Sequence, residues 1–401
     1  MPEIAQGKCD ILIFTGNYGM GHIQVSEALQ SSILEANPTL NVEIYDFFRI
    51  IDPLLSHVVE FGYHQIIKYF SPGYSLFYKA TQQIAPDSSW QKHLNSIGHR
   101  EIDEFIQKKS PKAIICTFPT PAGVIAELKK EGKVKIPLIT VITDVAVHSQ
   151  WLHPQIDFYF VAAESVAQHM EYRGISRHKI FVTGIPLRAQ FQNKYDKEAT
   201  LLKYGLSPSL PTILVSGGGK GMLTGITEIA RKLGKFRIPL QAIVVTGQNK
   251  ALYRRLQLQT HSARNPICVL GYVENMAELM ESCDIMITKA GGITVFEALA
   301  KGIPMIIYKP IPGHEESNVQ FLLQNGAARA AKNWRQIKTA IEELIFFPSL
   351  YERICEHISR ISKPNATRGA TEIILKILKN EDLYTLSHNR KQIEETHWRY
   401  A

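Results

Sequence analysis

The chain has 401 residues, 45% of them hydrophobic and 20% charged, values normal for a packed globular protein and unlike those of a disordered one. At usual domain sizes this length predicts two domains. The 45 Lys and Arg against 37 Asp and Glu leave a formal charge of +8, which can draw a protein to a polyanion but does not select one.

Five cysteines, Cys9, Cys116, Cys268, Cys283 and Cys355, show no metal-ligand or CxxC spacing. They read as buried free thiols, not as a disulfide framework. MPEIAQGKCD has no basic-then-apolar leader pattern, and the most apolar stretch, from Ile136, is too short to span a bilayer and carries Asp144. Any membrane contact is therefore expected to be peripheral.

Short β-branched runs alternate with helical patterns throughout, which predicts an α/β fold with parallel sheets. The first strand, Ile11–Thr15, runs into GNYGMGH and then a helix whose Val25, Ala28, Leu29 and Ile33 share a face. Gly16, Gly19 and Gly21 permit a tight turn and close ligand approach, and the helix beyond offers free N–H groups. His22, where loop meets helix, is a candidate proton acceptor, although a lone histidine is more often structural. No Gly-Lys-Ser/Thr follows, so this is not a Walker loop. Asp46, ending the strand Val42–Asp46, is a poor match to a dinucleotide-binding acid. Pro53–Gln83, dense in Phe, Tyr, Leu and Ile, then breaks the alternation. Its periodicity favours core helices over an amphipathic lid on a lipid surface. Further strands are expected at Ala113–Thr117, Leu138–Thr143, Phe158–Val161 and Ile180–Thr183.

The polar stretch from Gln192 to Ser209 separates the halves, and a second unit begins with strands at Thr212–Ser216, Gln241–Thr246, Ile267–Leu270, Asp284–Thr288 and Met305–Tyr308. The first of these ends in SGGGKGM, where Gly217, Gly218 and Gly219 let a ligand or a facing domain come close to the backbone. The fourth leads into TKAGGITVFEALAKGIP, the most specific cluster. Gly291 and Gly292 open a helix whose first N–H groups can hold a diphosphate without a metal. Thr294 adds a hydroxyl, and Glu297 can accept both hydroxyls of a ribose; the plain alternative is an exposed Glu297 on an ordinary helix. In PIPGHEESNVQ, His314, Glu315, Glu316 and Asn318 form a set of donors and acceptors suited to sugar hydroxyls.

Taken in order, GNYGMGH, VITDVAVHSQW, VTGIP, SGGGKGM, TKAGGITVFEALAKGIP and PGHEESN resemble the motifs of processive diacylglycerol glycosyltransferases and plant-type monogalactosyldiacylglycerol synthases. The peptidoglycan glycosyltransferase that acts on the undecaprenyl-linked muramyl peptide is a more distant relative. The resemblance runs from about Ile11 to Ala330. It implies a GT-B fold, two Rossmann-like doubly wound domains facing across a cleft. It also implies an inverting transfer of glucose or galactose from UDP to 1,2-diacylglycerol at an anionic membrane surface, on the cytoplasmic side, with no metal, other cofactor or nucleic acid.

On that reading residues 1–196 bind the acceptor, 197–379 bind the nucleotide sugar, and 380–401 cross back to the first domain. Gly217–Gly219, Gly291, Gly292, Thr294 and Glu297 hold the nucleotide, Gly271, Tyr272 and Val273 meet the uracil, and His314, Glu315, Glu316 and Asn318 read the hexose. His22 becomes the leading base, with Asp144 as partner, rival, or merely a cap of the next turn. Gly19, Gly21, His148 and Trp151 fall to the acceptor site, and Pro53–Gln83 to the membrane. His314 stands where the family commonly has Gln, which leaves the sugar open. Another lipid-linked or small-molecule acceptor, or non-catalytic nucleotide-sugar binding, is the alternative.

Overall fold

Two parallel six-stranded sheets organise the computed structural model, which describes residues 7–16, 20–52, 88, 91, 95–219, 221, 223–261, 263–311 and 313–381. Pro53–Gln83, Gly19 and the chain from residue 382 lie outside the described residues. One unit runs to Arg188 and takes the chain up again from Asn365; the other is Ala189–Pro364.

In the first unit β1 (Ile11–Thr15), β2 (Val42–Asp46), β3 (Ala113–Cys116), β4 (Leu138–Val141), β5 (Phe158–Phe160) and β6 (Ile180–Phe181) form a sheet of order β2-β1-β3-β4-β5-β6. Around it lie α1 (Met20–Ala36), α2 (Phe47–Ile51), α3 (His99–Lys109), α4 (Pro119–Lys130) and α5 (Glu164–Tyr172). Local sequence explains several of these ends. Asp46 caps α2, accepting from the Phe48 amide at 3.0 Å, so it is engaged in structure and not as a ribose acid. Pro119 opens α4, and Lys129 and Lys130 close it in accord with the helix dipole.

The second unit contains α6 (Lys197–Lys203), β7 (Thr212–Ser216), α7 (Ile226–Gly234), β8 (Gln241–Val245), α8 (Lys250–Thr260) and β9 (Ile267–Leu270). It continues with α9 (Met276–Ser282), β10 (Ile285–Thr288), α10 (Gly292–Ala300), β11 (Met305–Tyr308), α11 (His314–Gln324), β12 (Ala328–Ala331), α12 (Trp334–Phe346) and α13 (Pro348–Ile361). Its sheet order is β12-β11-β10-β7-β8-β9, a doubly wound arrangement in which the order reverses between β7 and β10. The corresponding reversal in the first sheet lies between β1 and β3.

Central strands β1, β3, β4, β7, β8, β10 and β11 are buried at every position, because helices cover both faces of a parallel sheet. Edge strands β2, β9 and β12 are only partly buried. β12 was not expected from the sequence: its ARAA carries no β-branched residue and pairs along one side only, with β11.

The helix α14 (Ala366–Leu378) belongs with the first unit, not with the second in which the sequence reading had placed it. It packs on α1, with Thr371 bonded to Ser32 at 2.9 Å. The Thr367 hydroxyl accepts from the Leu187 amide and donates to the Leu187 carbonyl. Among the described residues no helix is long and apolar enough to cross a membrane. Cys9, Cys116 and Cys283 are buried and all five cysteines are free. Burial, with a smaller push from Glu43, raises the Cys9 thiol to about 11, and burial alone raises Cys116.

Candidate functional site

In open α/β sheets, ligands collect at the carboxyl ends of the strands where the order reverses. Both Gly-rich turns singled out in the sequence fall there. In the first unit β1 and β3 are paired in register up to Phe14 and Cys116, so Gly16 and Thr117, just beyond the two strands, start side by side. His22 is the third residue of α1. Its Nδ1 stands 2.7 Å from the Thr117 carbonyl oxygen and 3.2 Å from the Thr143 hydroxyl.

A carbonyl can only accept, so Nδ1 carries the proton and Nε2 is left with the lone pair. The ring also meets Phe118 edge-on, with centroids 5.1 Å apart. Beneath it Thr117, Ser26 and Thr15, all buried, exchange hydroxyl hydrogen bonds at 2.9 and 3.2 Å. The imidazole is thus held in one tautomer and one orientation, the condition for a positioned base. Sequence reasoning named His22 but missed Thr117 and Thr143, which lie 95 and 121 residues away along the chain.

Asp144 immediately follows Thr143 and is half-buried. The 3₁₀ turn Ser149–Trp151 is capped by His148, whose Nδ1 accepts from the Gln150 amide at 3.2 Å. His148 is 6% exposed, and Trp151 is 4% exposed within the core of the unit. His148 thus fixes a turn and Trp151 packs in the core of the unit. Gly21 is half-buried beside His22.

In the second unit Ser216 and Thr288 are register partners at the ends of β7 and β10, so SGGG and TKAGG leave the sheet together. A Cβ added to Gly218 would lie 4.0 Å from the Thr294 hydroxyl, which brings the two turns to the same spot. Gly218 and Gly221 adopt φ of +77° and +63°. A Cβ on Gly221 would come within 2.1 Å of the Thr246 carbonyl oxygen, so only glycine fits there. Gly291 caps α10, and Gly292, Ile293 and Thr294 form its first turn, leaving N–H groups and the positive dipole end at the turn.

Lys289, which the sequence reading passed over, adds a full positive charge. A Cβ on Gly291 would sit 3.5 Å from its Nζ, and its partner is Glu315, which is fully buried. Glu315 also accepts from the Ile311 amide at 2.7 Å. Asn318, likewise fully buried, donates to the Ala290 carbonyl at 2.9 Å. These two were expected to read sugar hydroxyls. In the structure they also tie the start of α11 to the Lys-Ala-Gly-Gly turn.

Glu297 is 6% exposed, which excludes the plain reading of a solvated glutamate. Gly302 adopts φ +69° after α10, and Pro304 leads into β11, as the sequence indicated. Glu316 is half-buried, and of His314 only the backbone, at the first position of α11, is described. Gly271, Tyr272 and Val273 follow β9 at its carboxyl end, with Tyr272 45% exposed. Gly217 is buried, and Gly218 and Gly219 are half-buried.

Comparison with known proteins gives this geometry a context. The family model for monogalactosyldiacylglycerol (MGDG) synthase matches residues 22–187, and that for the glycosyltransferase family 28 C-terminal domain matches 212–353. The chain is 32% identical over 385 residues to the processive diacylglycerol beta-glucosyltransferase of Bacillus subtilis strain 168, covering 95% of this chain and 98% of that protein. Among solved structures, MurG of Acinetobacter baumannii superposes with a TM-score of 0.61 at 16% identity, over 92% of this chain and 99% of that one. Anabaena Alr3699/HepE in complex with UDP-glucose superposes at 0.53 with 13% identity, over 92% and 100%. These structural likenesses establish the fold, GT-B with two Rossmann-like units.

Proposed function

The chain belongs to the family of processive diacylglycerol glycosyltransferases and monogalactosyldiacylglycerol synthases, and we propose that it moves a hexose from a UDP-sugar to the free hydroxyl of 1,2-diacylglycerol with inversion. The observation that carries the chemistry is the 2.7 Å contact between His22 Nδ1 and the Thr117 carbonyl. It leaves Nε2 as the proton acceptor for a hydroxyl nucleophile.

In the proposed reaction the acceptor oxygen attacks the anomeric carbon on the face opposite UDP and passes its proton to His22 Nε2. The bond from the anomeric carbon to the diphosphate oxygen breaks, and its electron pair leaves with UDP. The growing negative charge falls to the α10 N-terminal amides, Thr294 and Lys289, donors already in place before the reaction begins. Backbone donors and one ammonium supply this role without a metal. Glu297 is proposed for the ribose, the loop after β9 for the uracil, and His314 and Glu316 for the hexose.

Glucose is the proposed hexose, following the name of a relative that matches nearly the whole chain. The protein is proposed to work peripherally at the cytoplasmic membrane face. The test is UDP release from UDP-glucose and from UDP-galactose, each with and without diacylglycerol in vesicles. Release that needs diacylglycerol and is faster with UDP-glucose is the expected result; release indifferent to diacylglycerol would remove the acceptor assignment.

A further inference from the structure

We propose that the outer surface of α7 and α8, with the loops that leave their C-termini, docks on an anionic lipid membrane. The stretch from Ile226 to Arg264 carries eight Lys and Arg and a single acid, Glu228, a surplus of seven in a chain whose whole surplus is +8. By contrast Pro53–Gln83, to which the sequence reading attached the membrane, holds Lys68 and Lys79 against Glu60.

The fold gathers these cations on one side. β7, β8 and β9 are consecutive neighbours in the sheet, so the right-handed crossovers through α7 and α8 place both helices on the same face, where they pack together. The exit loops are tied as well. Asn265 Nδ2 donates to the Leu233 and Phe236 carbonyls at 3.0 and 3.1 Å, and a Cβ on Gly234 would meet Ala263 Cβ at 2.7 Å. Lys235 and Arg237 on one loop and Arg264 on the other therefore share a corner, and all three are exposed.

Along α8, Lys250, Arg254 and Leu258 recur every fourth residue on the exposed face with Arg255 beside them, while Leu256 and Thr260 turn inward. The helix contains no acid. Lys232 is paired with Glu228 at 2.7 Å. Among the described residues no carboxylate lies within ion-pair distance of Lys235, Arg237, Lys250, Arg254, Arg255 or Arg264.

Complementing a helix dipole accounts for cations at C-termini but not for Lys250 at the first position of α8, where a positive charge is unfavourable. Lipid is preferred to nucleic acid because of Leu258. It stands 83% exposed among the arginines, and a headgroup layer can bury it while a phosphate backbone cannot.

Each cation near an anionic bilayer contributes about 1 kcal/mol, roughly fivefold in partition. The experiment is co-sedimentation of the full-length protein, without donor, with vesicles of phosphatidylcholine alone or in equal parts with phosphatidylglycerol. The parent is expected to bind the mixed vesicles, to release with added salt, and to leave phosphatidylcholine in solution. Arg254→Gln with Arg255→Gln should lower the partition constant by about 30-fold, and Leu258→Ser should lower it several-fold.

Lys235→Gln with Arg237→Gln should reproduce the double-arginine loss from the neighbouring loop, which keeps the test intact if one variant fails to melt cooperatively. Parent binding indifferent to phosphatidylglycerol, or variants that bind like the parent, would overturn the assignment. So would a DNA duplex that strips the protein from the vesicles, which would transfer the surface to nucleic acid. The assay reads no turnover, so docking can stand if the proposed transfer fails. UDP release from detergent-dispersed diacylglycerol should be unchanged in all three variants.

Discussion

The reversal points of the two sheets use one architecture in opposite ways. Between β1 and β3 the group proposed to act is a side chain, His22, and backbone holds it: the Thr117 carbonyl fixes its tautomer. Between β7 and β10 the groups proposed to act are backbone amides at the start of α10, and side chains hold them. There Lys289 and Glu315 pair beside Gly291, and Asn318 grips the Ala290 carbonyl. A site that must accept a proton needs one titratable atom aimed and the rest inert, whereas a site that must hold a diphosphate needs several converging donors. The difference suits the division proposed for the reaction, with acceptor activation in the first unit and leaving-group stabilisation in the second.

The sharpest way to break that division is His22→Ala. Loss of a positioned base typically costs ~10²–10⁴-fold. The variant is therefore expected to lose that much in kcat while titrating with UDP as the parent does in calorimetry. A variant that instead loses UDP affinity would place the histidine in the nucleotide site and collapse the distinction between the two turns.

Next in size is Glu315→Gln, which leaves Lys289 without its carboxylate. Breaking a buried pair costs about 3–5 kcal/mol, whereas replacing both partners with apolar residues is often neutral. Urea unfolding should show the loss for the single variant and its recovery in Lys289→Met with Glu315→Leu. UDP binding should stay weak in the double variant, because the cation is gone. Recovery of both would make the pair a packing feature only.

How legible this was in the sequence depended on what each residue touches. Continuous apolar strands such as ILIFT and TILVS announce themselves because both of their faces are covered, and Gly-Gly after a strand is visible as a helix opening. Thr117 and Thr143 were read as strand ends. The strands themselves stop at Cys116 and Val141, and the hydrogen bonds of the two threonines go to a histidine from a distant turn, which no local pattern encodes. Glu315 and Asn318 have the chemistry of sugar ligands, and composition could not show that they also bond to the Ile311 amide and the Ala290 carbonyl. Trp151 was placed by its position after β4, whereas its burial is decided by the core that α4 and β5 complete around it. The boundary before α14 was missed because a helix with Ile373, Ile374 and Ile377 on one face fits either sheet equally well on periodicity.

Smaller effects are expected from the glycine turn. Gly221→Ala meets both a left-handed backbone and a carbonyl oxygen at 2.1 Å, and local strain of that kind costs about 1–3 kcal/mol. Gly205→Ala, at φ +68° with nothing within 4 Å, isolates the backbone part, about 1–2 kcal/mol. UDP affinity should fall only in the first. Equal melting losses with equal affinities would mean that the SGGG turn shapes the fold and not the nucleotide site.

The smallest effect, and one that separates the units by acidity, concerns His153 in the first. It is 3% exposed, and its Nε2 donates to the Gln150 carbonyl at 3.0 Å. Burial lowers its pKa from 6.5; the bond to Gln150 and the field of Glu127 oppose that shift without reversing it. The folded protein therefore keeps this ring neutral at a pH where the unfolded chain has already bound a proton. Its stabilising contribution is full above 6.5 and is lost as the pH falls below that value toward the folded pKa. Urea midpoints taken on either side of 6.5 should show the first unit weakening in acid, and His153→Gln should shrink that loss. A variant that keeps the full acid sensitivity would assign it to another group.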